Sequence, residues 1–322
     1  MSEMQPLVRS GVAGQPGTPA EATGPVAGRP RHRDAGGKPR SLAGDAWLDL
    51  RRSKVFWTAA GLVAVILLMA AWPALFTSAD PRECLLARKH AGPSGGAFFG
   101  YDFQGCDVFA KTVYGARASI VVGVCGTLIA GGIGLVIGLA AGFHGGWLDA
   151  VLSRFIDIVL GIPFLLAAIV LAKRLTADPA SDGVLAVTCT LGLLGWTTAA
   201  RVMRSAVISA KNQDYVAAAR MLGAGPMRLM TRHVLPNSIG PFVVVLTLLL
   251  GVNIAGEATL SYLGIGLKND AISWGIAIAE AGPYARAAAA PLVWPSVFLA
   301  ATVLAFIMLG DAIRDAFDPK LR

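Results

Sequence analysis

KNQDYVAAARMLGAGPMRLMTRHVLP, residues 211–236, is a polar, cation-rich stretch set between two long apolar runs. A chain that lives in a bilayer has little reason to keep such a segment outside it unless something docks there. The segment reads as helix, glycine break, helix. Asp214 suits the first turn of a helix running through Leu222, where an acid meets the positive end of the helix dipole. Gly223 and Gly225 stop that helix, because glycine takes positive φ without penalty. Pro226 suits the first turn of a second helix carrying Arg228, Arg232 and His233, which Pro236 is expected to end. Ala217 and Ala218 present a small, smooth face suited to a groove in another protein. The plain alternative is a solvated interhelical loop.

Outward from this stretch the chain is apolar. Of 322 residues, 55% are hydrophobic and only 15% charged. A soluble domain carries about 25% charged residues. A bilayer span takes roughly 20 mostly apolar residues, and six such stretches are expected near 55–76, 119–143, 151–171, 183–207, 239–262 and 293–313. The expected class is therefore an all-α, polytopic membrane protein. The third span is broken at Pro163 and carries Asp157; the fourth runs into Arg201 and Arg204. The 38 glycines fall largely within apolar stretches, where small residues let membrane helices approach closely. The formal charge of +8 does not indicate nucleic acid, since the cations lie in the tail and on one side of the spans.

Residues 1–44 are rich in Gly, Pro, Ala and Arg and have no hydrophobic periodicity, so they are expected to be a disordered cytoplasmic tail. No apolar core of a cleavable leader starts near Met1. Asp45–Lys54 reads as a short interfacial helix with Trp47, Leu48 and Leu50 on its apolar side and Arg51, Arg52 and Lys54 at the headgroups. With six spans, nineteen of the 28 Lys and Arg residues share the side of the termini and of the 208–238 loop, against nine opposite. The positive-inside rule then puts both termini and 208–238 in the cytoplasm, and the 77–118 loop outside.

The spacing of Ala217, Ala218, Ala219, Gly223 and Leu235-Pro236 closely resembles the coupling loop of bacterial ATP-binding-cassette (ABC) importer permeases. FFGYDFQGCDVFAKTVYGARASI (98–120), AGFHGGWLDAVLSRFIDIVLGIP (141–163), GEATLSYLGIGLK (256–268), SWG (273–275) and LGDAIRDAFDPKLR (309–322) resemble the dipeptide, oligopeptide and nickel subgroup, in its C-type subunit. The resemblance covers most of the chain after about residue 50. It implies a bacterial plasma-membrane protein forming half of a pore with a similar B-type permease. It also implies two cytoplasmic ABC ATPase subunits, an extracytoplasmic solute-binding protein and alternating access. The expected cargo is a short peptide, with nickel chelates or other peptide-like solutes as the alternative. An ion-coupled secondary transporter is the rival class, but only one break and no inverted repeat stand in the sequence. The resemblance implies ATPase contact by Asp214, Tyr215, Ala217, Ala218, Ala219, Arg220, Leu222, Gly223, Leu235 and Pro236. Three positions depart from the family pattern: Ala217 replaces its Glu, Tyr101 its Thr and Cys106 its Arg.

Other residues are candidates on their chemistry. Carboxylates within spans cost on the order of 2.5–3.5 kcal/mol unless partnered or wet. Asp157 is expected to pair with Arg201. Asn253, Glu257 and Ser261 share one helix face and either line the translocation path or bond to a neighbouring helix. Asp102 and Asp107 either dock a binding protein or cap the following helix. Cys84 and Cys106 face the oxidising side and either form a disulfide or stay free. There is no GxxxxGK[ST] phosphate loop, no Ser/His/Asp grouping and no ligand spacing for a metal, so the chain is expected to be non-catalytic, without cofactor or metal.

Overall fold

The structure is a computed structural model that describes residues 42–176, 183–268 and 270–317. The expectation for the tail falls outside these residues, except that 42–44 form the first turn of a helix; Asp318, Lys320 and Arg322 also lie outside. The described residues contain helices and no strand. Five helices are long and apolar enough to cross a membrane: α2 (Lys54–Ala71), α3 (Val108–His144), α6 (Val184–Lys211), α9 (Leu235–Tyr262) with its N-terminal extension, and α11 (Ala290–Phe317). A sixth candidate is the pair α4 (Gly146–Gly161) and α5 (Phe164–Leu175). Shorter helices are α1 (Leu42–Arg52), α7 (Asp214–Met221), α8 (Pro226–Leu229) and α10 (Trp274–Ala281).

Several boundaries differ from expectation, each for a local reason. The first helix stops at Ala71 because Trp72-Pro73 leaves helical geometry. Ser53 interrupts the interfacial helix and caps α2, accepting from Phe56 N at 3.2 Å, so Lys54 belongs to α2. In α1, Leu50 packs against Ala312 and Ala316 of α11, while Trp47 and Leu48 are exposed. Asp107 starts α3 well before Ser119, giving 37 residues, or about 55 Å of helix against a hydrocarbon core of about 30 Å. The third span does not continue through its break. Ile162 precedes a proline and is extended, and α5 leaves α4 at 88°.

Pro236 does not end a helix. A π-turn at Met230–Val234 joins α8 to α9, closed by Leu235 N to Met230 O, and Pro236 sits in the first turn of α9, where its missing N–H costs little. Together with the run of α6 to Lys211, this shrinks the expected 208–238 loop to little more than α7 and its flanks.

The bundle is organised on the contact between α3 and α6. Gly134, Gly138 and Gly142 recur every fourth residue on one face of α3. A Cβ at Gly138 would sit 2.5 Å from Ala200 O, and one at Gly142 would sit 2.8 Å from Arg204 O. At these positions α3 contributes no side chain, so the α6 backbone and the Cβ atoms of Ala199, Met203 and Val207 lie directly against it. Lys211 Nζ at the end of α6 donates to Gly142 O (2.7 Å) and Phe143 O (3.2 Å), covering the last carbonyls of α3. α9 joins through Ile254 and α11 through Ala305 and Phe306, all in one apolar cluster with Val113, Ala116 and Ile120 of α3 and Ile66 and Met69 of α2.

Gly138→Val is expected to destabilise the folded subunit by about 1–3 kcal/mol through overpacking. Gly132→Val, on the open side of α3 with nothing within 4 Å, serves as the control. Thermal midpoints of the two purified variants that fall together would contradict the seam.

Candidate coupling site

One end of the bundle gathers α1, the C-termini of α3, α6 and α11, and the N-termini of α4 and α9. Phe317 against Gly240, Leu50 against Ala316, and Lys211 against Gly142 bring these together. α7 lies at this end. Its inner face is Val216, fully buried with Leu229 and Val234 against Met203 and Val207 of α6, Phe242 of α9 and the flanking Leu139 and Phe143 of α3. So the one buried side chain of this short helix joins a cluster drawn from three spanning helices. Its C-terminus is fixed by a two-bond turn. Gly223 N donates to Arg220 O (3.0 Å) and Ala224 N to Ala219 O (3.1 Å), with Gly223 at φ +83°. That conformation strains any residue with a Cβ. Ala219 and Ala224 pack beneath the turn.

The outer face is open. Asp214, Ala217, Ala218 and Arg220 are exposed, and so are the larger Tyr215, Met221, Leu222 and Met227. Met221 is 84% and Leu222 89% exposed. Apolar side chains held out by a rigid turn form a patch of the kind that marks a contact with another protein. Leu235 and Pro236 stand apart, in the stem of α9 rather than on this patch.

The remaining candidates resolve as follows. Arg201 Nη2 lies 2.8 Å from Asp157 Oδ1. A second pair was not anticipated: Arg204 grips Asp149 with two bonds, Nη2 to Oδ2 at 2.8 Å, tying α4 to α6. Its signal was an acid in the first turn of α4. Asn253, Glu257 and Ser261 do not face an open path in this subunit; all three are buried. Ser119 Oγ donates to Glu257 Oε2 (2.7 Å), Ser261 Oγ to Oε1 (2.8 Å), and Asn253 Nδ2 to Thr127 Oγ1 (2.9 Å). Glu257 and Asn253 bond α9 to α3, Ser261 supports Glu257 from within α9, and the path-lining reading is withdrawn. Asp102 and Asp107 are buried too, so the docking reading is withdrawn with it. Asp107 caps α3, accepting from Phe109 N (2.7 Å) and Ala110 N (3.3 Å). Burial holds its carboxyl above the ordinary range, against the two amides that lower it. Asp102 accepts from Lys111 Nζ at 2.6 Å and from the amides of Gln104 and Cys106. Cys84 and Cys106 are joined by a disulfide at the end of the bundle away from α7. At that end Trp274 of α10 also donates Nε1 to Thr112 O (2.8 Å). Among the described residues no group of His, Cys, Asp or Glu is arranged for a metal ion.

Spanning helices in close contact, with an anchored short helix offering an open apolar face, describe a multi-pass membrane subunit with a docking surface. Residues 134–322 match the family described as binding-protein-dependent transport system inner membrane component. The chain is 35% identical over 285 residues to the oligopeptide transport system permease protein OppC of Bacillus subtilis (strain 168), covering 88% of this chain and 92% of the relative. It is 33% identical over 288 residues to the dipeptide transport system permease protein DppC of the same organism, covering 88% and 87%. The glutathione transport system permease protein GsiD of Pectobacterium atrosepticum is 31% identical over 277 residues, covering 86% and 90%. Among solved structures, an inward-facing MetNI methionine ABC transporter gives a TM-score of 0.52 at 20% identity, covering 64% of this chain and 95% of that one; that likeness concerns the fold. The chain belongs to the family of binding-protein-dependent transport system inner membrane components.

Glu257→Ala leaves two buried hydroxyls without their acceptor, at a cost of about 1–3 kcal/mol. Glu257→Gln keeps an acceptor and is expected to unfold near the wild-type temperature. Equal losses in a thermal scan would contradict the bonding role.

Proposed function

We propose that the chain is the C-type half of a two-permease pore in an ABC importer that carries short peptides inward by alternating access. The observation that carries this reading is the anchored helix α7, whose outer face (Tyr215, Ala217, Ala218, Met221, Leu222) is exposed among the described residues. A groove on a separate ATPase subunit is its natural occupant. Two such subunits hydrolyse the ATP; this chain positions the helices and performs no chemistry. Val216 belongs to a cluster shared with α3, α6 and α9, and through it movement of α7 reaches the helices whose shift alternating access requires.

The α7 end faces the cytoplasm in this reading, and with it both termini. Two things support that orientation. By sequence count nineteen of the 28 Lys and Arg residues fall on this side of the expected spans, and the Cys84–Cys106 bond lies at the other end, where an oxidising compartment keeps it formed. A solute-binding protein delivers cargo at the disulfide end, and lipid surrounds the rest. Cargo is assigned from relatives named for oligopeptide, dipeptide and glutathione, which favours a peptide over a nickel chelate. Family membership sets aside an ion-coupled secondary transporter.

Gly223→Asp tests the coupling. A Cβ there meets nothing within 4 Å, so the side chain itself does not clash, while φ +83° makes the turn strained. ATP-driven uptake of dialanine by membranes holding the complex is expected to fall to background, with the ATPase still co-purifying. Uptake at the wild-type rate would remove the coupling role.

A further inference from the structure

Charge stands exposed on the spanning helices where lipid would not tolerate it. Arg201 lies ten residues before the end of α6 at Lys211, and Asp157 eleven after the start of α4 at Gly146. At 1.5 Å of rise per residue, both are about 15 Å from the coupling end, inside the spans 151–171 and 183–207 that the apolar runs mark. Yet the side chains of Asp157 and Arg201 are 51% and 59% exposed, and Arg154, one turn from Asp157, is 84% exposed. On α6 the exposed positions Thr198, Arg201, Ser205 and Ser209 follow one helix face, giving a polar stripe along a spanning helix. A second observation is independent of charge. One turn beyond Asp157 the helix breaks, and Gly161, Ile162 and Pro163 are all exposed. Non-helical backbone at membrane depth is tolerated only where protein buries it or water reaches it.

We propose that the Thr198–Ser209 face of α6, with the Asp157–Arg201 pair and the break at Ile162-Pro163, is this subunit's wall of the water-filled translocation path. The assignment rests on the transport reading above and adds the surface that cargo crosses. The buried Glu257 group belongs to the helix packing behind that wall. A zwitterionic peptide meets fixed charges of both signs there, Asp157 beside Arg154 and Arg201.

The test uses the whole complex in inverted membrane vesicles, in a Cys125→Ala, Cys189→Ala background that keeps the disulfide. Thr198→Cys and Ser205→Cys are compared with Leu304→Cys, on the exposed apolar side of α11. The probe is a membrane-impermeant, positively charged methanethiosulfonate. Thiols facing water are expected to react at least about tenfold faster than one in apolar surroundings, in the nucleotide-free or the ATP-bound complex. If both stripe positions react as slowly as position 304 in both states, the stripe is covered by lipid or by the second permease, and the inference fails. Co-purification of the ATPase is scored on the same preparations. A silent stripe with the ATPase present overturns this inference alone, and loss of the ATPase overturns the functional reading.

Discussion

The bundle depends on the absence of α3 side chains at the seam with α6. Lipid tails are as apolar as leucine, so membrane helices gain little from hiding apolar surface from one another. What holds them is close van der Waals contact and a few polar ties. Gly134, Gly138 and Gly142 let the α3 backbone lie against the backbone of α6 around Ala199, Ala200 and Arg204. Once that register is set, Lys211 reaches the terminal carbonyls of α3 and Arg204 reaches Asp149. α9 is then held to the same α3 surface by Asn253–Thr127 and Glu257–Ser119. Each of these bonds needs the helices at the spacing that the glycines allow.

The same constraint ties the coupling end to the membrane interior. α6 is continuous from Val184 to Lys211 and α7 follows after two residues. Val216 is pinned between the ends of α3 and α6 and the start of α9. The route from the outer face of α7 to α6 therefore runs through Val216 and through the two-residue link at Asn212-Gln213. The bend at Pro163 is the opposite case. There a spanning element is broken by 88°, and α5 packs Ala168 against Val187 and Leu191 of α6 instead of extending α4.

The existence of the spans, the short helix at Asp214 and its glycine stop were all legible in the sequence, because apolar length, a first-turn acid and a positive-φ glycine act locally. The Asp157–Arg201 pair followed from the cost of charge at depth. What was not legible depended on the partner across the gap. Glu257, Asn253 and Ser261 form the same polar face whether it meets water or Ser119 and Thr127, and the sequence of α9 alone does not distinguish the two. Asp102 looked like a surface acid until Lys111 and the amides of Gln104 and Cys106 closed around it. Pro236 looked like a stop because the compensating π-turn at Met230–Val234 has no sequence mark of its own. The stripe on α6 escaped notice because three of its four members are small hydroxyl residues within an apolar run.

The central claim is that α7 is a handle held by a separate ATP-binding protein. Photo-crosslinking from a benzoyl-phenylalanine placed at Leu222, in intact cells making the whole complex, tests it most directly. The account predicts a covalent adduct between this chain and an ATP-binding subunit, and none to that subunit from the same probe at Val65, exposed on α2. An adduct only to an extracytoplasmic protein, or only to lipid, would contradict it.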